Sequence, residues 1–453
     1  MHPSFRFCVL LAASLLLAGC ASRPLPPPIQ AALQAQGLPP ESLALVLEPA
    51  GGGSPALALQ PQRAMAPGST MKLVTAAVAL ERLGPNARAA TELRAAAPPD
   101  ADGVLHGPLF VRGGGEADLG YPELHQLLRE LREQGVRELR AGVVLDRSLF
   151  QPERPDLGLP PFDETPEFPY NVIPDALQLA GSLQRLELHR TAQGQLQGRL
   201  SPALPGIELD PSALRPVERP CADWEDGWQQ PQVVSEADGR QRVQLQGEFP
   251  GNCRVSQALQ LVDRHTLWAQ ALRQFWAELG GSWGLQAGVQ EGRTPLDTQL
   301  LARHSERPLA ELLRGLMKRS DNAQTRLLYQ RLGAAEARPG EPTRAAAARA
   351  VHAWFTQRGI ATEGLVMDNG SGLSRSERIR PRQLADLLQA VWREQRHLPE
   401  FLSSLPVAGP SAPASRTAPP RAARASRPAP CATPSAWPAT CGTARAAPGC
   451  WWP

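Results

Sequence analysis

The spacing of apolar residues predicts a hairpin followed by a helix near the start of the chain. Residues 41–50 alternate like a strand, a glycine-rich turn follows at residues 51–53, and a second short apolar stretch covers residues 55–59. This pattern is typical of a β-hairpin. From residue 70 to residue 83 the apolar positions recur with helical spacing, so we expect a helix there. Its apolar positions are Met71, Val74, Ala77, Val78, Leu80 and Leu83.

Both ends of this first helix are marked in the sequence. Pro67-Gly68 breaks the chain before it, and Gly84-Pro85 ends it. Ser69 is therefore expected at the N-terminus of the helix, with Lys72 one turn along.

The pattern changes between residues 91 and 260 and changes again after them. Residues 91–260 are rich in proline, glycine and short alternating stretches, with one clear helix at residues 122–134, and we interpret them as inserted, mostly β domains. Residues 21–90 and 261–409 would then form the two parts of one catalytic domain. The later helices are predicted at about residues 262–279, 308–333, 343–358 and 381–395.

The first twenty residues have the pattern of an export signal. Arg6 precedes an apolar run at residues 7–17, which is too short for a stable membrane span and typical of a signal peptide. Leu17-Ala18-Gly19-Cys20 resembles a bacterial lipobox, which predicts lipidation of Cys20. The alternative is an ordinary signal peptide cleaved at a small-residue site. We expect a periplasmic lipoprotein, anchored to the outer membrane of a Gram-negative bacterium.

Composition excludes some function classes and raises one structural possibility. The net charge of +3 and the aromatic content of 5% argue against a nucleic-acid-binding surface. His106, His125 and His304 have no metal-ligand spacing, and we expect no metal or organic cofactor. In an exported protein Cys221 and Cys253 form a candidate disulfide, although two unrelated thiols are the alternative.

Lys72 is the first feature that indicates chemistry. The chain has 47 lysines and arginines, and only Lys72 and Lys318 are lysines. A serine hydroxyl needs a base to become a nucleophile, and a lysine amine can serve if its pKa is lowered, whereas arginine stays protonated. Ser69 and Lys72, three residues apart, face the same side of a helix. A serine cap beside a solvated lysine would give the same short pattern.

A second motif favours the catalytic interpretation. Ser320-Asp321-Asn322 follows an amphipathic stretch, with Lys318 beside it. S-x-x-K together with S-D-N belongs to the catalytic set of penicillin-binding proteins and class A β-lactamases. Ser320 could relay a proton, Asn322 could hold the Ser–Lys pair, and Asp321 and Lys318 are candidate substrate-binding residues.

On these motifs the chain resembles the D-alanyl-D-alanine carboxypeptidase/endopeptidase family, the class C low-molecular-mass penicillin-binding proteins. The resemblance covers about residues 30–409 and includes the stretches RAMAPGSTMKLVTAAVALERLGP, MKRSDN and DNGSGLSRSERIRPRQLADLL. It implies an α/β (α+β sandwich) β-lactamase/D,D-peptidase-like catalytic domain with domains inserted between the two motifs. It also implies peptidoglycan peptide stems as substrates and β-lactams as acylating inhibitors. One departure is Ala323-Gln324-Thr325-Arg326 after S-D-N, where the family usually carries an acidic residue; we expect no loss of chemistry from it.

The third motif of this set, K-T-G, is absent from the sequence. In the family its strand binds the terminal carboxylate of the substrate and supplies half of the oxyanion hole, but no lysine follows Lys318. Residues 410–453 instead contain 10 Pro and 13 Ala and no Leu, Ile, Val or Phe, a composition typical of disorder.

The genetic code suggests an origin for this tail. With permitted codons shifted back by one nucleotide, residues 426–433 become L-K-T-G-T-L-R-D, and residues 437–443 become L-A-G-Y-V-R-D. Our hypothesis is a frameshift between about residues 409 and 420, either an error or a real lesion. If the protein is indeed translated in the reading frame that gives this tail, we predict an unpaired sheet edge and an inactive or nearly inactive product.

Two other function classes stay open from the residues alone. Gly280-Gly281-Ser282-Trp283-Gly284 matches the G-x-S-x-G motif of α/β-hydrolases, but a helix rather than a strand is predicted before the serine. A catalytically dead, peptidoglycan-binding lipoprotein is the non-enzyme alternative. Covalent reaction of Ser69 with a β-lactam would discriminate between the latter and an enzyme.

Overall fold

The computed structural model of the protein describes residues 25–191 and 193–407. The predicted signal segment with Cys20 and the tail from residue 410 lie outside these ranges. The α-helices of the described part are α1 (Pro27–Ala35), α2 (Met71–Arg82), α3 (Tyr121–Glu133), α4 (Arg264–Glu278), α5 (Leu309–Arg319), α6 (Asn322–Glu336), α7 (Thr343–Gln357), α8 (Pro381–Glu394) and α9 (Leu398–Ser404). None of these helices is long and apolar enough to cross a bilayer.

Sixteen strands complete the described part of the chain. They are β1 (Leu45–Leu47), β2 (Leu57–Leu59), β3 (Ala90–Ala95), β4 (Val104–Leu105), β5 (Leu109–Arg112), β6 (Glu138–Leu139), β7 (Val143–Asp146), β8 (Gln184–Arg190), β9 (Leu196–Ser201), β10 (Ile207–Val217), β11 (Trp228–Ser235), β12 (Gln241–Pro250), β13 (Arg254–Leu259), β14 (Ser282–Trp283), β15 (Val289–Glu291) and β16 (Gln299–Ser305).

Helix α2 forms the centre of the helical core. Its residues 71–80 are all buried, and it packs against α5, α6, α7, α8 and α9. Close packing on every side explains why the helix carries alanine, valine and leucine around its whole circumference rather than on one face. Because α2 starts two residues after Ser69, the position of that serine is set by this core.

The predicted hairpin is present, but it is shorter than expected. Strand β1 pairs antiparallel with β2, with Leu45 opposite Leu59, and α8 packs against β1. Within the described residues this sheet has two strands, and the side chains of both are only partly buried or exposed. Part of its apolar surface therefore lacks cover.

One predicted helix is divided in two. The expected helix at residues 308–333 is interrupted at Ser320, whose φ of 54° and ψ of 43° are left-handed. Asp321 then caps α6, since its side chain accepts a hydrogen bond from the backbone N–H of Gln324. The apolar periodicity continues across the break, which is why periodicity alone did not reveal it.

The inserted region extends past the predicted boundary at residue 260. Its main sheet has the order β15-β7-β5-β3-β16, and α4 shares its apolar core with residues of that sheet. Two three-stranded sheets, β13-β8-β9 and β10-β12-β11, supply the expected β-rich part, where Cys221 and Cys253 form a disulfide with Cα atoms 5.0 Å apart. Residues 261–305 thus pack with the insertion rather than with the helical core.

The chain enters and leaves the insertion at a narrow neck. Strands β3 and β16 are antiparallel neighbours, with Ala90 opposite Ser305. The buried carboxylate of Glu306 accepts hydrogen bonds from the backbone N–H of Ala89 at 2.9 Å and of Ala117 at 2.8 Å, and from Arg331 of α6 at 2.5 Å. Because the two ends are adjacent, more than two hundred residues can be inserted without separating the parts of the helical core.

A buried ion cluster holds the insertion together. The Asp175 carboxylate accepts hydrogen bonds from Arg147 at 2.9 Å and from Arg264, at the start of α4, at 3.0 Å. All three side chains are at most 1% exposed. Burial alone would raise the pKa of Asp175, but the two guanidinium charges outweigh it and hold the pKa below its ordinary value.

Replacement of Asp175 by asparagine should therefore destabilise the insertion strongly. Two buried guanidinium groups would lose their shared countercharge, which typically lowers the free energy of unfolding by about 3–5 kcal/mol. Urea unfolding followed by tryptophan fluorescence measures this change. Asp238→Asn is the matched control, because Asp238 pairs with Arg240 on an exposed turn. Equal effects of the two substitutions would contradict a structural role for the cluster.

Candidate active site

Ser69 lies exposed at the junction between a short 3-10 helix, Gly68–Thr70, and α2. Its backbone is held against a glycine of a distant loop. A Cβ atom on Gly372 would lie 1.7 Å from the Gly68 carbonyl oxygen, and Gly372 has a φ of +83°. Both facts require glycine at position 372. The position of Ser69 at the helix N-terminus favours negative charge that develops on or near its hydroxyl oxygen.

Lys72 makes three hydrogen bonds, to three separate segments of the chain. It is 2% exposed. Its Nζ lies 3.1 Å from Ser69 Oγ, 2.6 Å from Asn322 Oδ1 and 2.6 Å from the Ser371 carbonyl oxygen. These three acceptors match the three N–H donors of a lysine ammonium group.

The same geometry suits the neutral amine. A neutral amine has two N–H donors and one lone pair. The two short contacts, to Asn322 and to the Ser371 carbonyl, occupy the donors. The lone pair then faces Ser69 Oγ, whose hydroxyl can donate its proton to it. This arrangement is the one that a general base requires.

Burial also brings this neutral form within reach of ordinary pH. Burial is the main cause that lowers the pKa of Lys72, and the positive charge of Arg326 adds to it, while Asp321 and Glu377 act in the opposite direction; together these effects lower the pKa from 10.5 to about 8. With a pKa of about 8, roughly one Lys72 in ten is neutral at pH 7. An exposed lysine would have a far smaller neutral fraction.

Ser320 and Asn322 approach the Ser–Lys pair from the break between α5 and α6. The Ser320 hydroxyl donates to Ser69 Oγ at 2.8 Å. Its left-handed backbone is uncommon for a residue other than glycine, asparagine or aspartate, and it turns the chain so that the serine and Asn322 both face α2. The structure thus brings Ser69, Lys72, Ser320 and Asn322 together across about 250 residues of sequence.

The other predicted site residues have different positions. Asp321 caps α6 and influences Lys72 through its charge. Lys318 lies in the last turn of α5 with an exposed side chain, outside the hydrogen-bond network of Lys72. Ser282, from the G-x-S-x-G match, begins the two-residue strand β14 after α4, and its hydroxyl donates to the Arg137 carbonyl. It therefore lacks the strand–serine–helix arrangement of a hydrolase nucleophile.

The sequence analysis included residues 368–373 in the family resemblance but assigned this loop no role in the site. This loop provides the Ser371 carbonyl to Lys72, and the Gly370 carbonyl accepts a hydrogen bond from Thr75 Oγ1 at 2.7 Å. The available signal was the pair of glycines that flank Ser371, both of which have positive φ values. Glycines at such positions indicate that the backbone itself is used.

Comparison with known proteins adds a family to this geometry. The model of the D-Ala-D-Ala carboxypeptidase 3 (S13) family matches residues 27–427. The D-alanyl-D-alanine carboxypeptidase of Actinomadura sp. is 29% identical over 364 residues, which are 77% of this chain and 64% of the relative. D-alanyl-D-alanine carboxypeptidase DacB of Haemophilus influenzae is 28% identical over 315 residues, 68% of this chain and 62% of the relative. The chain thus spans less than two thirds of the length of either relative.

Solved structures share the fold. The crystal structure of penicillin binding protein 4 (dacB) from Haemophilus influenzae superposes with a TM-score of 0.67 at 23% identity, covering 81% of this chain and 78% of that one. Its complex with a novel β-lactam gives a TM-score of 0.63 at 22% identity, with 81% and 77% coverage. The α/β architecture expected from the sequence is therefore confirmed.

The pKa of Lys72 can be measured directly, because the chain has only two lysines. In protein labelled with [ε-¹³C]lysine, we expect one of the two NMR signals to titrate with a midpoint near pH 8, as burial disfavours the ammonium form. Lys72→Arg should remove that signal and so assign it. A midpoint near 10.5 for the assigned signal would show that the amine is not a base tuned by burial.

Proposed function

The chain belongs to the D-Ala-D-Ala carboxypeptidase 3 (S13) family, and on this premise we propose that it is a serine-type D-Ala-D-Ala carboxypeptidase/endopeptidase of peptidoglycan. The observation that carries the proposal is the Lys72 amine. It is buried, it has two N–H acceptors at 2.6 Å, and Ser69 Oγ lies 3.1 Å away. The names of the two curated relatives support the carboxypeptidase part of this proposal.

In the proposed reaction, Ser69 carries out nucleophilic catalysis. Lys72 takes the hydroxyl proton as Ser69 Oγ forms a bond to the carbonyl carbon of the penultimate D-alanine. The resulting tetrahedral intermediate breaks its C–N bond, and Ser320 relays the proton from Lys72 to the leaving amino group. Water then hydrolyses the acyl-enzyme by the reverse proton route, which regenerates the Ser69 hydroxyl.

The same steps account for sensitivity to β-lactams. A β-lactam carbonyl is attacked by Ser69 in the same way, but its leaving amine stays tethered to the acyl group. The solved β-lactam complex of the Haemophilus influenzae protein supports this part of the proposal. Fluorescent penicillin is therefore a suitable probe for Ser69.

The absence of K-T-G sets a limit on the activity of this chain. The Lys72 network is complete without that motif, but a substrate would lack the strand that binds its carboxylate and half of its oxyanion hole. Loss of one oxyanion-hole donor typically reduces turnover by about 10²–10³-fold. We propose that the printed chain is correspondingly impaired. A catalytically dead, peptidoglycan-binding protein is the second candidate, favoured by the same missing motif.

The proposed setting of this activity is the periplasm. It rests on the sequence of the first twenty residues alone, with Cys20 as the lipid attachment point and the outer membrane as the destination. Radiolabelled palmitate incorporation, compared between the native chain and Cys20→Ala, would test the anchor.

A matched pair of chains tests the activity and the frame together. The first step is to resequence the DNA across codons 405 to 430. The printed chain and a chain with the shifted frame are then expressed, and penicillin acylation and D-alanine release are measured for each. We expect the chain translated from the shifted frame to be acylated, and to release D-alanine, about 10²–10³-fold faster than the printed chain. Ser69→Ala should abolish labelling in both chains.

The remaining outcomes separate the alternatives. Equal and rapid labelling of both chains would contradict the proposed impairment. Absence of labelling in both, with binding to peptidoglycan retained, would favour the non-enzyme alternative and overturn the proposed activity.

A further inference from the structure

The loop that contacts Lys72 is held by one buried carboxylate. Glu377 is fully buried. Its Oε1 accepts hydrogen bonds from the backbone N–H groups of Asp368 at 3.2 Å, Asn369 at 3.0 Å and Gly370 at 2.6 Å. Its Oε2 accepts one from Gly372 at 2.8 Å. Four amides of a six-residue loop therefore converge on a single side chain.

The carbonyl groups of the same loop reach α2. The Ser371 carbonyl accepts from Lys72 at 2.6 Å, and the Gly370 carbonyl accepts from Thr75 at 2.7 Å. The loop thus connects the Glu377 carboxylate to the Lys72 amine through its backbone. Any movement of the loop would change the direction of the Ser371 carbonyl and hence the orientation of the amine.

We propose that Glu377 is a positioning residue for Lys72, which holds the Ser371 carbonyl in place and supplies a negative charge beside the amine. The inference rests on the proposed function of Lys72 as a base. With one N–H fixed by Ser371 and the other by Asn322, the lone pair of the neutral amine stays directed at Ser69. The Glu377 carboxylate is bonded to the loop backbone rather than to Ser69, so its effect is exerted through Lys72.

A carboxylate suits this position better than its amide. Both oxygens of Glu377 act as acceptors, and a glutamine would replace one of them with an NH₂ group. If the amide oxygen kept the three Oε1 contacts, the NH₂ group would face the Gly372 N–H, and two donors would meet in a buried site. One hydrogen bond and one charge would be lost with almost no change in shape.

A positive charge, that of Arg326, also lies at this loop and counteracts the negative charge of Glu377. Arg326 donates to the carbonyls of Asn171 and Val172 at 3.0 Å each and to Leu373 at 3.3 Å, so it ties the end of the loop to the inserted region. Its charge opposes that of Glu377 at Lys72.

Two other carboxylates, Asp368 and Asp321, bear on this arrangement. The Asp368 side chain forms an ion pair with Arg344 at 3.2 Å. Asp321, on the α6 side, acts on Lys72 in the same direction as Glu377. Of these groups, Glu377 is the carboxylate whose oxygens also hold the loop backbone.

The test uses the full chain labelled with [ε-¹³C]lysine. Removal of the Glu377 charge by Glu377→Gln should lower the midpoint of the Lys72 signal by roughly half a pH unit or more, because a neighbouring negative charge stabilises the ammonium form. Glu363→Gln, an exposed carboxylate in the same segment, is the matched control and should leave the midpoint unchanged. An unchanged midpoint in Glu377→Gln would overturn the proposal, and a general loss of stability would not mimic the expected shift.

A second measurement covers the case in which Glu377→Gln fails to fold. Hydrogen–deuterium exchange of the unmodified protein should show slow exchange for the amides at residues 368–370 and 372, and faster exchange of the same peptide in a folded Glu377→Gln variant. Exchange at the rate of an unprotected peptide in the unmodified protein would contradict the role of Glu377. Neither readout needs Ser69 to react, so a failure of penicillin labelling would overturn the proposed activity separately.

Discussion

The proposed function of this protein depends on burial of one amine that must still be able to lose its proton. Lys72 is nearly inaccessible to water, and its acceptors belong to the 3-10 turn before α2, to the start of α6 and to the loop at residues 368–373. A buried ammonium without such acceptors would be strongly unfavourable, and a solvated one would stay protonated. The helical core therefore has to supply both the burial and the three acceptors in one place.

The charges around the amine set how far its pKa falls. Burial and Arg326 lower it, and Asp321 and Glu377 limit the decrease, which leaves a pKa of about 8. A lower value would make the amine a weaker base, and a higher value would leave it almost entirely protonated near neutral pH. The loop held by Glu377 contributes to the site through a backbone carbonyl, that of Ser371, and not through the side chain of a motif residue.

The inserted region depends on a different constraint, the closeness of its two ends. Strands β3 and β16 are paired, and Glu306 connects both sides of the neck to Arg331 of α6. Through Arg326 the insertion also contacts the end of the loop that holds Lys72. The hairpin β1–β2, in contrast, is not joined to a larger sheet, since within the described residues no further strand pairs with it.

The sequence by itself determined which side chains form the candidate site, and most of its helices. Ser69, Lys72, Ser320 and Asn322 could be predicted because the proposed reaction needs those side chains, and because the few lysines of the chain make Lys72 conspicuous. The helix limits followed from apolar spacing and from glycine and proline. The tertiary structure alone decided the break at Ser320, the extent of the insertion beyond residue 260, and the roles of Ser371 and Glu377. Every residue has a backbone carbonyl, so only the folded path of a loop, set by glycines and one buried carboxylate, decides which carbonyl meets the amine.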